Sequence, residues 1–104
     1  MTQQKITVSE ALRRAQEEEE DVFLGTFTRQ EIERTGFDTS PPFDSFEVVD
    51  VYLMWDGSEY VLKYVFDGDI RFPYYEKESE IGGRDSLIDA VKEYLAIGGE
   101  KHDH

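Results

Sequence analysis

The two histidines, His102 and His104, are the residues of this 104-residue chain whose type and spacing most suggest chemistry. A His-x-His pair can hold a divalent transition metal when a scaffold fixes both imidazoles. This pair lies in the last five residues with no third ligand beside it, so we expect a flexible tail and no metal site. Ser-His-Asp and Cys-His catalysis need a positioned base. With both histidines in the tail and no Cys in the chain, neither is expected.

Carboxylates are the other groups that could do chemistry. Two Asp or Glu side chains can act together as acid and base, but the 24 acidic residues contain no pair that the sequence singles out. The chain has no phosphate-binding loop, dinucleotide fingerprint, HExxH motif or EF-hand loop. We therefore expect a protein that is not an enzyme and that holds no cofactor and no metal.

The charge of the chain is its most unusual property. Twenty-four acidic and 11 basic residues give a net charge of −13, whereas a small soluble domain typically carries a net charge of about 2–8 units. Such a field repels phosphates, which disfavours direct binding to nucleic acid or to an anionic membrane and favours a basic protein partner. Solubility and adaptation to high salt remain open as other reasons for the acidity.

Composition and length indicate one small domain spanning residues 1–104, with residues 1–5 and 99–104 flexible. The 13% aromatic content argues against wholesale disorder. No apolar run approaches the roughly 20 residues that span a bilayer, and the first residues lack the apolar core of a signal peptide. The absence of Cys fits an intracellular protein, so we expect a cytoplasmic location.

A sheet is predicted from the segment Phe46–Tyr75, which contains two Asp-Gly pairs between runs of β-branched and aromatic residues. Asp-Gly in this setting favours a tight hairpin turn, because Gly adopts a positive φ without steric cost. The segment therefore predicts a three-stranded antiparallel meander, against which the rest of the chain packs.

The first hairpin is expected to turn at Asp56-Gly57, which pairs Leu53 with Tyr60 and Asp50 with Lys63. Directly opposed residues share a face. This register therefore places an almost wholly apolar set of side chains on one face, the first face, and a mixed set on the second face. A slip of one residue would turn the apolar set to the wrong side.

The second hairpin allows two loop lengths at Asp67-Gly68. A three-residue loop over residues 67–69 is preferred because it keeps one apolar face and aligns Phe72 with Tyr64. Pro73 cannot donate a backbone hydrogen bond to the ladder, so we expect the third strand to lie at an edge of the sheet.

Three helices are predicted around the meander. The first begins after Thr7, and either its apolar stripe continues to about Leu24 or the acidic run inside it serves another purpose. A short second helix begins after Thr28, and the last helix begins at Ser86 and ends at Gly98-Gly99. The fold class is therefore α+β in the order α-α-β-β-β-α, with the helices on one face of the sheet.

Two resemblances to nucleic-acid-binding proteins accompany this order. The segment TRQEIERTGF, residues 28–37, resembles the opening of a helix-turn-helix unit, but a polar segment and a strand follow in place of a recognition helix. The order is similar to the α-β-β-β-α order of double-stranded RNA-binding domains, which carry a basic cluster at the start of the last helix. The matching segment here, Gly82–Ser86, has one basic and one acidic residue. We therefore do not expect this chain to bind nucleic acid as those proteins do.

Two acidic clusters are the candidate partner-binding residues. The first cluster is Glu17, Glu18, Glu19, Glu20 and Asp21, and the second cluster is Asp67, Asp69, Glu76, Glu78 and Glu80. In size, acidity and lack of catalytic residues the chain is similar to small phage-encoded anti-CRISPR and other DNA-mimic proteins, and to acidic immunity proteins of nuclease toxins. That similarity implies a non-enzymatic inhibitor that occupies the nucleic-acid-binding surface of a basic protein, such as a nuclease or a nucleic-acid-binding complex.

An alternative partner-binding surface is the second face of the sheet. It contains Tyr52 and Met54 among valines, with charged residues around them. If the helices cover only the first face, this face is an exposed apolar patch through which an adaptor domain would bind another protein. In the opposing interpretation, the N-terminal helix or the loop at residues 37–43 covers it.

Overall fold

The computed structural model describes residues 6–101 and contains a four-stranded antiparallel sheet. In chain order the elements are α1 (Val8–Glu17), β1 (Val22–Thr28), α2 (Arg29–Glu33), β2 (Val48–Trp55), β3 (Tyr60–Phe66), β4 (Tyr74–Lys77), α3 (Glu78–Ile81) and α4 (Arg84–Lys101). The strands lie side by side in the order β1-β2-β3-β4. The α+β class and the meander are confirmed, while β1 and α3 are additions to the predicted order. Residues 1–5 and the histidine tail lie outside the described residues.

Strand β1 replaces the predicted end of the first helix. Helix α1 stops at Glu17, and Val22, Leu24 and Phe27 point into the core from β1. The apolar residues after the acidic run therefore follow strand periodicity, interrupted by a bulge between Phe23 and Gly25. Of the two alternatives for the acidic run, the one in which the helix continues to about Leu24 is wrong, because these side chains are buried by pairing β1 with β2.

The two predicted N-terminal caps are confirmed. The Thr7 hydroxyl accepts a hydrogen bond from the backbone N–H of Glu10 at 3.1 Å. Thr28 and Glu31 form a complete capping box, in which each side chain accepts a hydrogen bond from the other residue's backbone, at 3.3 and 2.9 Å. These bonds satisfy amides that the first helical turn leaves free. Helix α4, in contrast, begins two residues before the predicted cap at Ser86.

Helix α4 also continues through Gly98-Gly99 to Lys101, so the prediction that the glycine pair ends it is wrong. A Cβ atom built on Gly98 would lie 3.4 Å from the backbone carbonyl oxygen of Leu24. The glycine therefore permits close contact between α4 and β1. Its role is in packing, and β1 was not part of the predicted sheet.

The first hairpin keeps the predicted faces but not the predicted pairs. Tyr60, predicted opposite Leu53, lies opposite Trp55, so the loop spans residues 56–59. The Asp56 carboxylate explains the longer loop, because it accepts hydrogen bonds from two backbone N–H groups that follow it, at 2.8 and 2.9 Å. The register is displaced by two residues, which leaves every side chain on its predicted face.

The second loop spans residues 67–73 and is longer than predicted. Tyr74 lies opposite Tyr64, whereas Phe72, predicted at that place, lies in the loop and is 72% exposed. Pro73 immediately precedes β4 and so does not interrupt the ladder. The edge position of the meander's last strand is confirmed.

The core lies between the first face of the sheet and the helices. Its fully buried residues include Ala11, Ala15, Ile32, Val49, Val51, Leu53, Leu62, Tyr64, Leu87, Val91, Tyr94 and Ile97. Phe37 and Phe43, from the loop after α2, pack against this core as well. The interpretation in which α1 or the 37–43 loop covers the second face is therefore wrong. None of the described helices is long and apolar enough to cross a membrane.

Candidate functional site

The first acidic cluster lies between α1 and β1, and two of its carboxylates form ion pairs with α1. A Glu18 carboxylate oxygen lies 2.8 Å from a guanidinium nitrogen of Arg13, and the corresponding distance from Glu20 to Arg14 is 2.5 Å. The hydrogen bond from Arg14 lowers the pKa of the Glu20 carboxyl. Such solvent-accessible pairs contribute little to stability, but they cancel much of the local negative charge.

The other residues of this cluster differ in their surroundings. Asp21 Oδ2 lies 3.4 Å from Nζ of Lys63 on β3. Glu17 and Glu19 are exposed and form no ion pair with a described residue. Two acids of this run thus have no ion-pair partner among residues 6–101.

The second cluster begins with two aspartates that shape the 67–73 loop. The Asp67 carboxylate accepts hydrogen bonds from the backbone N–H groups of Glu47 and Val48, at 3.0 and 3.1 Å. These bonds tie the loop to the start of β2. Asp69 accepts from Nε of Arg71 at 3.0 Å and from its backbone N–H at 3.1 Å, and these bonds lower the pKa of the Asp69 carboxyl.

Two glutamates of the second cluster organise α3. Glu78 accepts hydrogen bonds from the backbone N–H of Tyr60 and from Nε of Arg84, each at 2.9 Å. The Tyr60 bond is the larger cause of the lowered pKa of the Glu78 carboxyl. Glu80 accepts from the backbone N–H of Lys77 at 2.8 Å. Most acids of both clusters thus have an intramolecular role, and their role in partner binding stays a prediction.

Glu76 and Glu80 are the two predicted residues that line a common cavity, which we call the acidic cleft. It has a volume of about 570 Å³ and opens on the helical side of the sheet, between α4 and the loop after α2. Its acidic side chains are those of Asp38, Glu76, Glu80, Asp89 and Glu93. Its aromatic side chains are those of Phe37, Phe43, Tyr64, Tyr74 and Tyr94. No described Lys or Arg lines the acidic cleft.

A chain of hydrogen-bonded hydroxyl groups leads to the carboxylate of Glu76. The Tyr64 hydroxyl donates to Glu76 Oε1 at 3.1 Å and lies 2.8 Å from the Tyr94 hydroxyl. Since the single proton of Tyr64 is used on Glu76, Tyr94 donates to Tyr64. The Thr35 hydroxyl lies 3.3 Å from that of Tyr94. Burial raises the pKa of the Tyr64 hydroxyl well above its usual value and that of Tyr94 to about 12, so both stay neutral donors.

Glu76 is the half-buried carboxylate of the acidic cleft. Burial raises its pKa, the nearby charge of Glu80 adds to the rise, and the hydrogen bond from Tyr64 opposes it. Desolvation disfavours the charged form of a carboxyl unless a cation lies beside it. Glu76 therefore differs from Glu20 and Glu78, whose nearby guanidinium groups help to lower their pKa values.

Three acids of the cleft were not predicted from the sequence. Asp89 and Glu93 lie one turn apart on α4, and Asp38 lies in the loop after α2. The four-residue spacing on a helix was a usable signal for the first two. Their convergence with Asp38 depends on the tertiary fold. Within residues 6–101, no group of three or more His, Asp or Glu side chains could hold a metal ion.

The second face of the sheet carries the two other predicted site residues, Tyr52 and Met54, both partly exposed. The ring of Tyr52 lies 5.3 Å from that of Phe23, which is 52% exposed. Tyr75, on β4, is 47% exposed. Lys63 and Tyr75 are paired on the same face. We call this surface the open face, because the core residues of the helices pack on the other side of the sheet.

The charges on the open face differ from the predicted pairing. Lys63, predicted opposite Asp50, lies opposite Tyr52, with Nζ 5.5 Å from the ring centroid. Asp50 instead accepts a hydrogen bond from the Thr26 hydroxyl at 2.5 Å. The predicted pairing of Asp50 with Lys63 across β2 and β3 is therefore wrong, because the register is displaced by two residues. Lys63 lies on this face with its ammonium group 3.4 Å from Oδ2 of Asp21.

The two surfaces have different chemical capacities. The acidic cleft combines carboxylates with aromatic rings, which suits an organic cation. The open face offers aromatic and aliphatic side chains that another protein could bury. Comparison of the chain with protein-family models, with curated proteins and with solved structures found no match.

Proposed function

We propose that this protein is a non-enzymatic inhibitor that binds a basic partner, a nuclease or a nucleic-acid-binding complex, on the surface where that partner holds nucleic acid. The observation that carries the proposal is the uneven placement of cations. Five ion pairs involve acids of the two clusters, whereas the acids of the acidic cleft have no described Lys or Arg among them. The acidic cleft is thus a place where five carboxylates lie together without a described Lys or Arg.

The cleft carboxylates extend from a helix and from a loop that packs on the core. Asp89 and Glu93 extend from the 18-residue helix α4. Phe37 and Phe43 hold the loop of Asp38 by packing on Tyr64 and Tyr74. A groove that binds nucleic acid presents Lys and Arg to phosphates, and carboxylates on a fixed surface can occupy the same side chains. Complementary charge also accelerates the encounter of the two proteins.

A pull-down with salt and nucleic-acid elution tests the proposal. The full chain is immobilised as bait, and bound proteins are eluted with nucleic acid or with NaCl raised from about 0.1 M to about 1 M, which shortens the Debye length to about 3 Å. We expect a basic nucleic-acid-binding protein that both treatments release. Its enzymatic or binding activity should fall when this protein is added in solution. The absence of Cys favours the cytoplasm as the compartment in which they meet.

Two results would contradict the proposal. The first is a partner that stays bound through the high-salt wash and is not displaced by nucleic acid. The second is a partner whose activity on nucleic acid is unchanged at saturating concentrations of this protein. A variant with Tyr52→Gln and Met54→Gln is the matched control, because it alters the open face without changing the net charge. We expect it to retain the salt-sensitive partner.

The second candidate function is an adaptor that binds a protein through the open face. The exposure of Phe23 and Tyr75, on a face without helices, favours it. Apolar contacts are insensitive to the ionic strengths that disrupt charge pairing. The adaptor function therefore predicts a partner that survives the high-salt wash and is lost from the Tyr52→Gln/Met54→Gln variant.

A further inference from the structure

We propose that the acidic cleft receives an arginine side chain of the basic partner, with the Glu76 carboxylate as its acceptor. The inference rests on the proposed function and specifies the chemistry of its contact. Its basis is the combination of a cavity, aromatic walls and one half-buried carboxylate. The carboxylates at the rim alone would attract any cation.

The walls of the cleft are suited to a flat cation. The rings of Phe43 and Tyr74 have centroids 4.6 Å apart, and the rings of Phe37 and Tyr74 are nearly perpendicular, at 83°. Two ring orientations are therefore present at the same cavity. A guanidinium group stacks on an aromatic ring and is more weakly hydrated than an ammonium group, so it enters such a cavity more readily.

Glu76 provides the acceptor at the floor. The Tyr64 hydroxyl donates to Oε1 of its carboxylate, and no described residue donates to Oε2. A carboxylate of this kind can accept two parallel N–H bonds from a guanidinium, and such charge-assisted bonds are about twice as strong as neutral ones. A guanidinium would also compensate the charge of Glu76, whose burial raises its pKa.

Other cations fit the cleft less well. A metal ion needs several ligands at short distance, and the described residues contain no group of three that could hold one. A lysine ammonium can enter, but it lacks the flat shape that the rings match and the fork that a carboxylate matches. The volume of about 570 Å³ exceeds that of one side chain and leaves room for the adjoining peptide backbone.

Titration of the isotope-labelled full chain with N-acetyl-arginine amide, followed by NMR, tests the inference. We expect the largest shifts at the amides of Phe43, Tyr74 and Glu76, and much smaller shifts with N-acetyl-lysine amide or spermidine at equal ionic strength. Glu76→Gln keeps an acceptor for Tyr64 and should weaken arginine binding by about tenfold, in line with loss of a charge-assisted bond. Phe43→Leu keeps every charge and should weaken binding severalfold.

Glu10→Gln is the control, because it removes the same charge from an exposed site on α1, outside the acidic cleft and outside both clusters, and its binding should equal that of the unmodified protein. Thermal unfolding shows whether Glu76→Gln is folded; we expect a Tm at neutral pH no lower than that of the unmodified protein. Equal binding of arginine and lysine would overturn the inference, and so would undiminished binding by a folded Glu76→Gln variant.

The partner from the pull-down separates this inference from the proposed function. Suppose the partner binds Glu76→Gln and Phe43→Leu normally but is lost from a variant with Asp89→Lys and Glu93→Lys. The arginine site is then wrong and the charge-directed function stands. A partner that binds all three variants equally would overturn both.

Discussion

The acids of the α1–β1 connection and those of the acidic cleft differ in what surrounds them. Glu18 and Glu20 stand in a run of consecutive acids, yet each has an arginine of α1 within ion-pairing distance. Asp89 and Glu93 are isolated in the sequence, and they converge with other acids on a cavity without a described Lys or Arg. The difference shows that local acid density in a sequence is a poor measure of the field at the surface.

The physical reason lies in the reach of side chains. Side chains that are close in sequence lie within reach of each other, so basic residues one turn before an acidic run can form ion pairs with it. Acids that are distant in sequence and brought together by the fold have no basic residue nearby unless the fold also places a Lys or Arg beside them. In the acidic cleft, where α4 lies beside the loop after α2, tertiary structure therefore brings carboxylates together without a described Lys or Arg.

The largest change in stability is expected when the hydroxyl chain that ends at Glu76 is broken. Tyr64→Phe removes the donor to Glu76 and the acceptor of the Tyr94 proton, leaving both groups without their partner. We expect the free energy of unfolding to fall by about 1–3 kcal/mol, as for other unsatisfied buried polar groups. Urea unfolding measures it. Tyr75→Phe removes an exposed hydroxyl and should change it by less than about 0.5 kcal/mol; equal losses would contradict the role of the chain.

A pair of aspartate variants sharpens the contrast between bonded and uncompensated acids. Asp67→Ala removes the acceptor for two backbone N–H groups at the start of β2, so we expect its Tm to be several degrees lower. Asp89→Ala removes one of several like charges, so its Tm should be equal or higher. Differential scanning calorimetry measures both. A lower Tm for Asp89→Ala than for Asp67→Ala would contradict the assignment.

The pH dependence of stability tests the state of Glu76. Because its pKa is raised in the folded protein, the folded state favours the protonated form, and that contribution to stability is lost as the pH rises through the folded pKa. Glu76→Gln should therefore have a higher Tm than the unmodified protein at neutral pH, and the difference should shrink as the pH falls. The groups that face Glu76 are Tyr64, Tyr74, Glu80, Asp38, Asp89, Glu93 and Tyr94.

Those neighbours are the same in both proteins, so comparing the two Tm curves cancels most of their own titration. A constant difference from acid to neutral pH would show that Glu76 is not responsible. A lower Tm for Glu76→Gln throughout would show that the carboxylate is stabilised in the folded protein, as Glu18 and Glu20 are by their arginines.

The dependence of the Tm on salt concentration is the smallest effect that we expect. Screening relieves repulsion among uncompensated acids, so the Tm should rise by a few degrees between about 0.05 M and about 0.5 M NaCl. A variant with Asp89→Asn and Glu93→Asn should show a smaller rise. The Tm of a variant with Glu18→Gln and Glu20→Gln should rise as much as that of the unmodified protein, because Glu18 and Glu20 are ion-paired with arginines in the unmodified protein. The opposite ranking would place the uncompensated charge at the first cluster.

The sequence was sufficient for elements whose signals are local. The Asp-Gly turns and the alternation along β2 and β3 identified two adjacent strands and their faces, and the caps at Thr7 and Thr28 were recognised from spacing alone. Loop lengths were not recoverable, because they depend on hydrogen bonds such as those from the amides of Glu47 and Val48 to Asp67. Strand β1 was missed because the acidic run before it fits a helix as well as a turn.

The candidate site was less accessible to prediction for the same reason. The two clusters were chosen by counting acids along the chain, which does not reveal which basic residues lie across the fold from them. Lys63 forms an ion pair with Asp21, 42 positions away in the sequence. Asp38 and Glu93 line the same cavity only because the loop after α2 packs on β3 and β4. Tyr52 and Met54 were correctly placed on the second face, since face membership survives a register change of two residues.

Two variants with the same net charge test most directly whether the acidic cleft binds the partner. Asp89→Lys/Glu93→Lys reverses two uncompensated acids of the cleft, and Glu18→Lys/Asp69→Lys reverses two acids that are ion-paired within the chain. The dissociation constant of each for the captured partner is measured by calorimetry at one ionic strength. We expect the first variant to bind at least about 100-fold more weakly, a loss of about 2.7 kcal/mol, and the second to bind within a few-fold of the unmodified protein. Equal weakening of both variants would mean that only total charge matters and would contradict the central role of the acidic cleft.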